Sequence, residues 1–322
     1  MEQLIHEPSR HREWNESYYY VWCDRENDVK AMARLGFKPN KDEGSTFFLV
    51  FLPDGSVAGY RATEGISGEW GRHSLTGKGM SFEPRRDGSW RYRFRGDMVQ
   101  VRDPADFPRV RDNPALIAGV LPAEMDMVFR PHSEAYEYSE HMTPESLELG
   151  KSSGDQHWEQ IGIVGGTLRV GEHRFTVRDQ LGQRDHTHGV RDWTGVGNWF
   201  YYVVWFSKSL AVNPAAIVAD DGRVSFGGFL FRDGRNIPIK GLRVLSQEFV
   251  GGVIPVSSEL EILDADSETH ILRGRAGPTV PLPFTEGGRV SVLAQSFGEF
   301  ELDGVRGGYG SFETLRVAPR SV

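Results

Sequence analysis

Five Asp-Gly pairs, each set between apolar or alternating segments, constrain the fold of this chain more than any other feature. They lie at 54–55, 87–88, 221–222, 233–234 and 303–304. Asp and Gly tolerate the positive φ angles of tight turns, so such a pair between alternating segments is a strong signal for a β-hairpin. Strands joined by tight turns pair antiparallel. The pattern therefore predicts an all-β protein built from successive hairpins.

Two Gly-Gly pairs extend this pattern. We expect Gly165-Gly166 and Gly227-Gly228 also to join short strands. Helix signals are few: residues 24–35 contain good helix formers and a candidate Asp cap but suit a loop and a strand equally well, and residues 114–119 predict one helical turn.

The length of the chain indicates two domains. Many short strands at hairpin spacing favour sandwiches or closed barrels, and 322 residues exceed what one small barrel uses. We expect two β-domains, residues 1–178 and 179–322, with the boundary after the meander that ends near Val177.

Composition excludes several classes of protein. The chain has 39 % hydrophobic and 25 % charged residues, which is typical of a soluble globular protein. Its longest apolar run, Trp199 to Phe206, is far below the roughly 18 residues of a transmembrane helix. The single Cys23 excludes an internal disulfide and a Cys-based zinc site.

Because residues 1–8 lack the features of a signal peptide, we expect a cytoplasmic protein without stable membrane insertion. The sequence leaves open whether the protein forms a homo-oligomer.

The charge balance argues against a nucleic-acid partner. The formal net charge is -8, from 37 basic and 45 acidic residues. One local exception is the alternation of Arg91, Arg93 and Arg95 with aromatic residues, a pattern that also suits base stacking. Because nothing else in the chain supports nucleic-acid binding, we interpret this segment as a half-buried strand.

Residues 182–193 hold the densest group of reactive side chains. Two imidazoles, two carboxylates, two guanidiniums and an indole fall in the sequence GQRDHTHGVRDW. If the segment is extended, Asp185 and Thr187 point to one side while His186 and His188 point to the other. One strand can thus present both imidazoles to one cavity.

Three interpretations of this segment compete. A structural network of Arg and Asp is one, since buried charges are usually paired. A metal site is the second, because His186, His188 and Asp192 resemble part of the cupin ligand set, although the rest of that motif is missing. Metal-free acid/base chemistry is the third and the one we favour: Asp185 or a His transfers a proton, with Arg191 and Asp192 fixing charge and orientation. We expect no metal and no other cofactor.

Three further segments, residues 14–20, 157–160 and 308–313, supply candidate substrate-binding residues. Alone, each is more commonly a core aromatic or a solvated rim residue. The candidates, together with the indole of the central segment, are Trp14, Glu16, Tyr18, His157, Glu159, Trp193, Tyr309 and Glu313.

The order of these motifs resembles a known group of bacterial proteins. The motifs, in order, are WNESYY at 14–19, HWEQ at 157–160, the central segment, and a GYG motif followed by Glu313. This order is similar to that of the carotenoid 1,2-hydratase (hydroxyneurosporene synthase) and AttH-like superfamily, whose central motif reads RDHSWGPRDW. The present chain has His188 in place of Trp and Val190 in place of Pro. The resemblance implies two tandem lipocalin-like antiparallel β-barrels and no organic cofactor.

We therefore expect a cofactor-independent lyase, a hydratase or dehydratase. Its substrate would be the carbon-carbon double bond of a hydrophobic terpenoid, lactone or enone. For an unactivated alkene Asp185 is the expected acid; for a conjugated alkene His188 or His186 activates water while Arg191 or a Tyr holds the enolate oxygen. The alternatives are a cyclase or isomerase that shapes a reactive chain, and a lipocalin-like carrier without turnover.

Overall fold

The computed structural model describes residues 3–66, 75–150, 156–193, 197–219, 221–286 and 288–318. Most of these residues lie in antiparallel strands, which confirms the all-β prediction. Within the described ranges the helices are short: α1 (Pro144–Gly150) and 3₁₀ turns at Pro39–Lys41, Pro104–Arg109, Pro114–Leu116 and Tyr138–Glu140. None of the helices among these residues is long and apolar enough to cross a membrane.

The chain divides into two compact units. The first unit is Met1–Ala135 with Gln156–Arg191, and the second is Tyr136–Asp155 with Asp192–Val322. Residue 178, where the sequence analysis puts a boundary, lies inside a long strand of the first unit, His173–Val190. The change of unit follows Arg191, at the end of the central segment.

Eight strands of the first unit form a closed ring. They are β1 (Trp14–Asp24), β2 (Val29–Lys38), β3 (Glu43–Phe51), β4 (Val57–Glu64), β7 (Trp90–Val101), β8 (Ile117–Pro131), β10 (Gln156–Val170) and β11 (His173–Val190). The short strands β5 (Leu75–Gly77) and β6 (Met80–Pro84) extend the sheet beyond β7, and β9 (Tyr136–Glu137) belongs to the second unit. The pairing order is β4-β3-β2-β1-β11-β10-β8-β7, and β4 also pairs with β7. That last pairing joins the two ends of the path.

Side chains at alternate positions along the strands fill the interior of this ring. Tyr18, Tyr20 and Trp22 of β1 belong to one buried aromatic cluster. The Tyr20 ring stacks on Tyr92 with centroids 3.8 Å apart. Because side chains alternate across a strand, the residues between them lie on the opposite face.

The arginine-aromatic segment is strand β7, as interpreted. Its aromatic residues are buried, while Arg91 forms a two-bond ion pair with Asp126 at 2.8 and 2.5 Å. Arg93 pairs with Glu83, and Arg95 with Glu124 at 3.5 Å. The three cations are therefore neutralised by carboxylates on neighbouring strands.

The second unit is an eight-stranded closed barrel. Its strands pair in sequence order, and the last pairs with the first: β12 (Asn198–Ser207), β13 (Leu210–Val218), β14 (Val224–Arg232), β15 (Arg235–Val250), β16 (Ile254–Asp264), β17 (Thr269–Glu286), β18 (Arg289–Leu302) and β19 (Val305–Val317). Phe200, Tyr202 and Phe312 are among the residues of its buried cluster.

All five Asp-Gly pairs lie between strands, but the two Gly-Gly predictions are wrong. Gly55 and Gly304, for example, have φ of 84° and 83°. Gly165-Gly166 and Gly227-Gly228 instead lie inside β10 and β14. At Gly228, where φ is 118°, a Cβ atom would stand 1.9 Å from the carbonyl oxygen of Asn213 on β13. This glycine allows close approach of a neighbouring strand rather than a turn.

Candidate active site

The pairing of β1, β11 and β10 brings three sequence motifs side by side. Tyr18 lies opposite His186, and His186 lies opposite Trp158 on the other neighbouring strand. One position along, Asp185 lies between Tyr19 and Glu159 in the same way. The central segment is thus the middle one of three strands that carry predicted site residues.

Because β11 is extended, its reactive side chains divide between two faces. His186 and His188 share a face with Glu16 and Tyr18; we call this group, with Trp158 and His6, the Glu16 cluster. The opposite face carries what we call the Asp185 cluster, which consists of His157, Glu159, Gln183, Asp185 and Thr187. Asp185 and His188, both expected to transfer protons, therefore lie on opposite faces of one sheet.

Glu16 is the centre of the first cluster. Its carboxylate is fully buried. Oε1 lies 2.7 Å from His186 Nε2 and 2.8 Å from His6 Nδ1, and Oε2 accepts the backbone N–H of His6 at 2.7 Å. Both carboxylate oxygens of Glu16 thus accept hydrogen bonds, which are stronger to a charged acceptor than to a neutral one.

Stacked rings surround these hydrogen bonds. The His188 ring stacks on His6 with centroids 3.7 Å apart, and Tyr18 stacks on His186 at 4.1 Å. Burial, together with the neighbouring His6, lowers the pKa of His188 to about 4. His188 is therefore neutral at pH 7, with Nε2 2.9 Å from Gln156 Oε1.

The N-terminal segment completes the Glu16 cluster. Leu4 and Ile5 pack against the aromatic core of the first unit, and the Tyr18 hydroxyl donates to the Leu4 carbonyl. These contacts hold His6 beside Glu16. Sequence reasoning missed His6, because no local pattern around it indicates which strand it approaches.

Glu159 organises the Asp185 cluster. Its fully buried carboxylate has Oε1 2.8 Å from His157 Nε2, and Oε2 accepts from Gln183 Nε2 at 2.6 Å. His157 Nδ1 lies 2.5 Å from Thr187 Oγ1. Glu159 thus orients the imidazole through one nitrogen, as in other carboxylate-His pairs. Gln183 and Thr187 were not predicted as site residues, although strand alternation from Asp185 selects both.

Asp185 has a perturbed proton affinity. Oδ1 accepts the backbone N–H of Tyr19 at 2.9 Å. Burial, and then the nearby Glu159 carboxylate, raises the pKa of Asp185 to about 6, against the opposing charges of His157, Arg191 and Arg34. A carboxyl with such a pKa gains and loses a proton near neutral pH.

The central segment also contains a structural arginine. Arg184 donates through Nε and Nη2 to Gln160 Oε1 at 3.0 and 2.8 Å. Its guanidinium carbon lies 4.6 Å from the Trp90 ring centroid and 4.4 Å from that of Trp158. Arg184 thus packs between two indoles beside the Glu16 cluster.

The remaining predicted residues have separate surroundings. Trp14 is buried opposite Val190, and the Arg191 backbone N–H donates to the Glu13 carbonyl at 2.9 Å. Asp192, Trp193, Tyr309 and Glu313 belong to the second unit.

Within the second unit, the two predicted aromatic residues pack against other rings. Trp193 stacks on Phe284 at 4.7 Å, and Tyr309 lies 5.8 Å from Trp205. Glu313 lies in β19 between Tyr201 and Gln295 on the neighbouring strands.

Each cluster has three side chains that could hold a metal ion. The ligand atoms of His6, Glu16 and His186 lie within 4.8 Å of one another, and the same is true of His157, Glu159 and Asp185. The first set has the composition of the two-His, one-carboxylate sites that bind iron. Hydrogen bonds already satisfy both oxygens of Glu16 and of Glu159.

Fold comparison finds solved structures of similar fold that cover most of the chain. It resembles an AttH-like protein from Nitrosomonas europaea with a TM-score of 0.63 and 10 % identity, covering 94 % of this chain and 91 % of that one. Kievitone hydratase from Nectria haematococca gives a TM-score of 0.60, 8 % identity and coverage of 95 % and 89 %. CghA, solved with Sch210972, gives 0.60, 11 % identity and coverage of 94 % and 88 %.

Sequence comparison then gives the family. The chain belongs to the family described as "Domain of unknown function (DUF7064)", whose model matches residues 2–318. No curated protein matches it by sequence.

Proposed function

We propose that this protein is a cofactor-independent hydratase or dehydratase. It adds water to a carbon-carbon double bond of a hydrophobic small molecule, or removes water to form such a bond. The observation that carries the proposal is the Asp185 cluster, where a carboxyl with a pKa of about 6 has a ligand atom within 4.8 Å of those of His157 and Glu159. Such a reaction needs one group that gives a proton and another that takes one at the same place.

In the dehydration direction the protonated Asp185 is the acid. It donates its proton to the leaving hydroxyl group, which departs as water. His157 removes a proton from the adjacent carbon through Nδ1, the nitrogen that faces the Thr187 hydroxyl, and the electron pair of that C–H bond becomes the second bond of the alkene. Glu159 stabilises the resulting imidazolium, because its Oε1 lies 2.8 Å from Nε2. Hydration follows the same steps in reverse.

The Asp185 cluster suits this role better than the Glu16 cluster. Glu16 accepts three hydrogen bonds and serves to fix His6 and His186. His188 lies on the face away from Asp185, so we assign it no part with Asp185 at one substrate atom. We assign the Glu16 cluster to positioning β11 and to lining the interior of the first unit.

The comparisons support the proposal in a general way. A protein named as a hydratase has the same fold as this chain, and another protein of that fold was solved with a small molecule. The motif order resembles that of the carotenoid 1,2-hydratase superfamily, which suggests an apolar substrate. The carboxylate-His arrangement is the part of the argument that rests on this chain itself.

The test is turnover of a panel of hydrophobic enones, terpenoid alkenes and lactones in ¹⁸O-labelled water. We expect a product heavier by one labelled water molecule. Asp185→Asn and His157→Gln should each lower its rate of formation by about a hundredfold or more. The matched control is Asp126→Asn, which removes a carboxylate from an ion pair with Arg91 on β7. Full activity of folded Asp185→Asn would refute the assignment, and a product of unchanged mass would indicate a cyclase or isomerase.

A further inference from the structure

The barrel of the second unit holds the guanidinium of Arg316, which no carboxylate among the described residues neutralises. Arg316 lies on β19 two residues after Thr314, so both side chains share one face of the strand. Its guanidinium carbon lies 4.5 Å from the ring centroid of Phe249 on β15. In the ring order β12 to β19, β15 and β19 are on opposite sides. A contact between them therefore crosses the barrel interior.

A polar group from a third strand lies near the same place. The Tyr202 hydroxyl of β12 accepts a hydrogen bond from Gln247 Nε2 at 3.2 Å. Gln247 is two residues before Phe249, and Tyr202 is close enough to Arg316 to oppose the effect of burial on the Arg316 pKa. The hydroxyl accepts from Gln247 and lies beside the Ser258 hydroxyl, and it can also donate its own proton.

Arg316 has no anionic partner among the residues that the structure describes. Its buried Nε has no hydrogen-bond partner, and the same is true of the buried Thr314 Oγ1. Burial of an unpaired cation is costly, and a ring face compensates only part of that cost. A guanidinium in these surroundings is suited to a carboxylate, whose two oxygens match its N–H groups.

The end of the barrel at which Arg316 lies also has an apolar rim. Alternate strands of an antiparallel barrel run in the same direction, so the carboxyl ends of β15 and β19 lie at one end. Val250, the last residue of β15, is 64 % exposed, and Val290, near the start of β18, is 36 % exposed. Exposed apolar side chains at the same end as a half-buried cation fit an amphipathic anion.

We propose that this end of the second barrel binds the carboxylate of an amphipathic small molecule. Arg316 pairs with the carboxylate, and the Tyr202 hydroxyl donates a hydrogen bond to it. The apolar part of the ligand lies against Phe249 and the rim. A monoanion is favoured because Arg316 is a single cation. The residues named for this site belong to the second unit, and those of the Asp185 cluster belong to the first.

Calorimetric titration with decanoate and with its methyl ester tests the proposal on the full chain. We expect decanoate to bind wild-type protein at least tenfold more tightly than the ester, since a hydrogen bond to a charged group corresponds to roughly ten- to hundredfold in affinity. Arg316→Gln should remove this preference. Tyr202→Phe, which keeps the ring, should weaken decanoate binding several-fold.

Two controls separate this site from surface charge and from the first unit. Arg306→Gln on the same strand removes an exposed cation that pairs with Glu301, and it should leave decanoate binding unchanged. Asp185→Asn should leave it unchanged as well. Equal affinity of wild-type protein and folded Arg316→Gln, or equal binding of acid and ester, would overturn the proposal. The proposal would also be overturned if decanoate did not bind at any concentration up to its solubility. If Arg316→Gln does not fold, the comparison of acid with ester and the Tyr202→Phe variant test the proposal instead.

Discussion

Replacing Asp185 by Asn should remove the proposed acid and at the same time make the protein more stable at neutral pH. The rise of the Asp185 pKa from 3.8 to about 6 means that the folded state disfavours the ionised carboxyl. At about 1.4 kcal/mol per pKa unit, the cost of ionisation is about 3 kcal/mol above pH 7. Asn is neutral at every pH and keeps an oxygen that accepts from the Tyr19 N–H, so the variant avoids this cost.

The pH dependence of the free energy of unfolding shows whether the Asp185 carboxyl causes the difference in stability. Well below pH 3.8, the ordinary pKa of the group, Asp185 is protonated in both folded and unfolded protein, so wild-type protein and Asp185→Asn should have similar free energies of unfolding. As pH rises through 6, the wild-type protein loses the stability associated with the protonated carboxyl and the variant does not. The difference should therefore grow between pH 4 and pH 7.5 in favour of the variant.

Urea unfolding at half-unit pH intervals, measured beside turnover, checks both effects. Asp126→Asn is the matched control, because Arg91 lowers the pKa of Asp126 and the removal of that carboxylate should not stabilise the protein. A stability difference that stays constant from pH 4 to pH 8, or that favours the wild-type protein at pH 7.5, would refute the reasoning about Asp185. A stabilised variant with full turnover would leave the electrostatics intact and reject the catalytic role.

Four further outcomes follow from the described contacts. Since the His188 pKa is lowered to about 4, the folded protein loses stability as pH falls from 6.5 towards 4, and His188→Gln should recover about 1 to 2 kcal/mol at pH 4.5 in urea unfolding. Glu16→Ala removes a buried acceptor of three hydrogen bonds and should lower the free energy of unfolding by about 3 kcal/mol or more, seen as a large drop in melting temperature. Gly228→Ala should destabilise the second unit by several times the roughly 1 kcal/mol expected for Gly222→Ala, which has open space around it; equal melting temperatures would contradict the contact with Asn213. Elemental analysis of purified protein should find no stoichiometric metal, whereas one equivalent of iron, manganese or zinc lost together with activity on chelation would favour a metal site.

The sequence by itself determined the features that depend on local geometry. An Asp-Gly pair prefers positive φ wherever it occurs, so the turns at Gly55 and Gly304 were predictable. The period of two along a strand predicted that Asp185 and His186 point to opposite faces, and β11 has this arrangement. Both predictions need only a few neighbouring residues.

The Gly-Gly predictions failed because a glycine has two uses that look alike in a sequence. Gly228 has the positive φ of a turn residue, yet its requirement comes from Asn213 on the next strand. Only the pairing of β13 with β14 reveals that contact. Local sequence therefore predicts that such a residue is special without predicting why.

Only the tertiary structure decided which reactive groups meet. His157 and Glu159 reach Asp185 because β10 pairs with β11 in one register, and a shift by one residue would turn them to the other face. His6 reaches Glu16 through a segment that is held by packing against the aromatic core. The pKa of Asp185 likewise depends on burial, which results from the whole fold. Strand pairing and burial depend on residues far apart in the chain. For that physical reason the residue types of the candidate site were readable from the sequence while their partners were not.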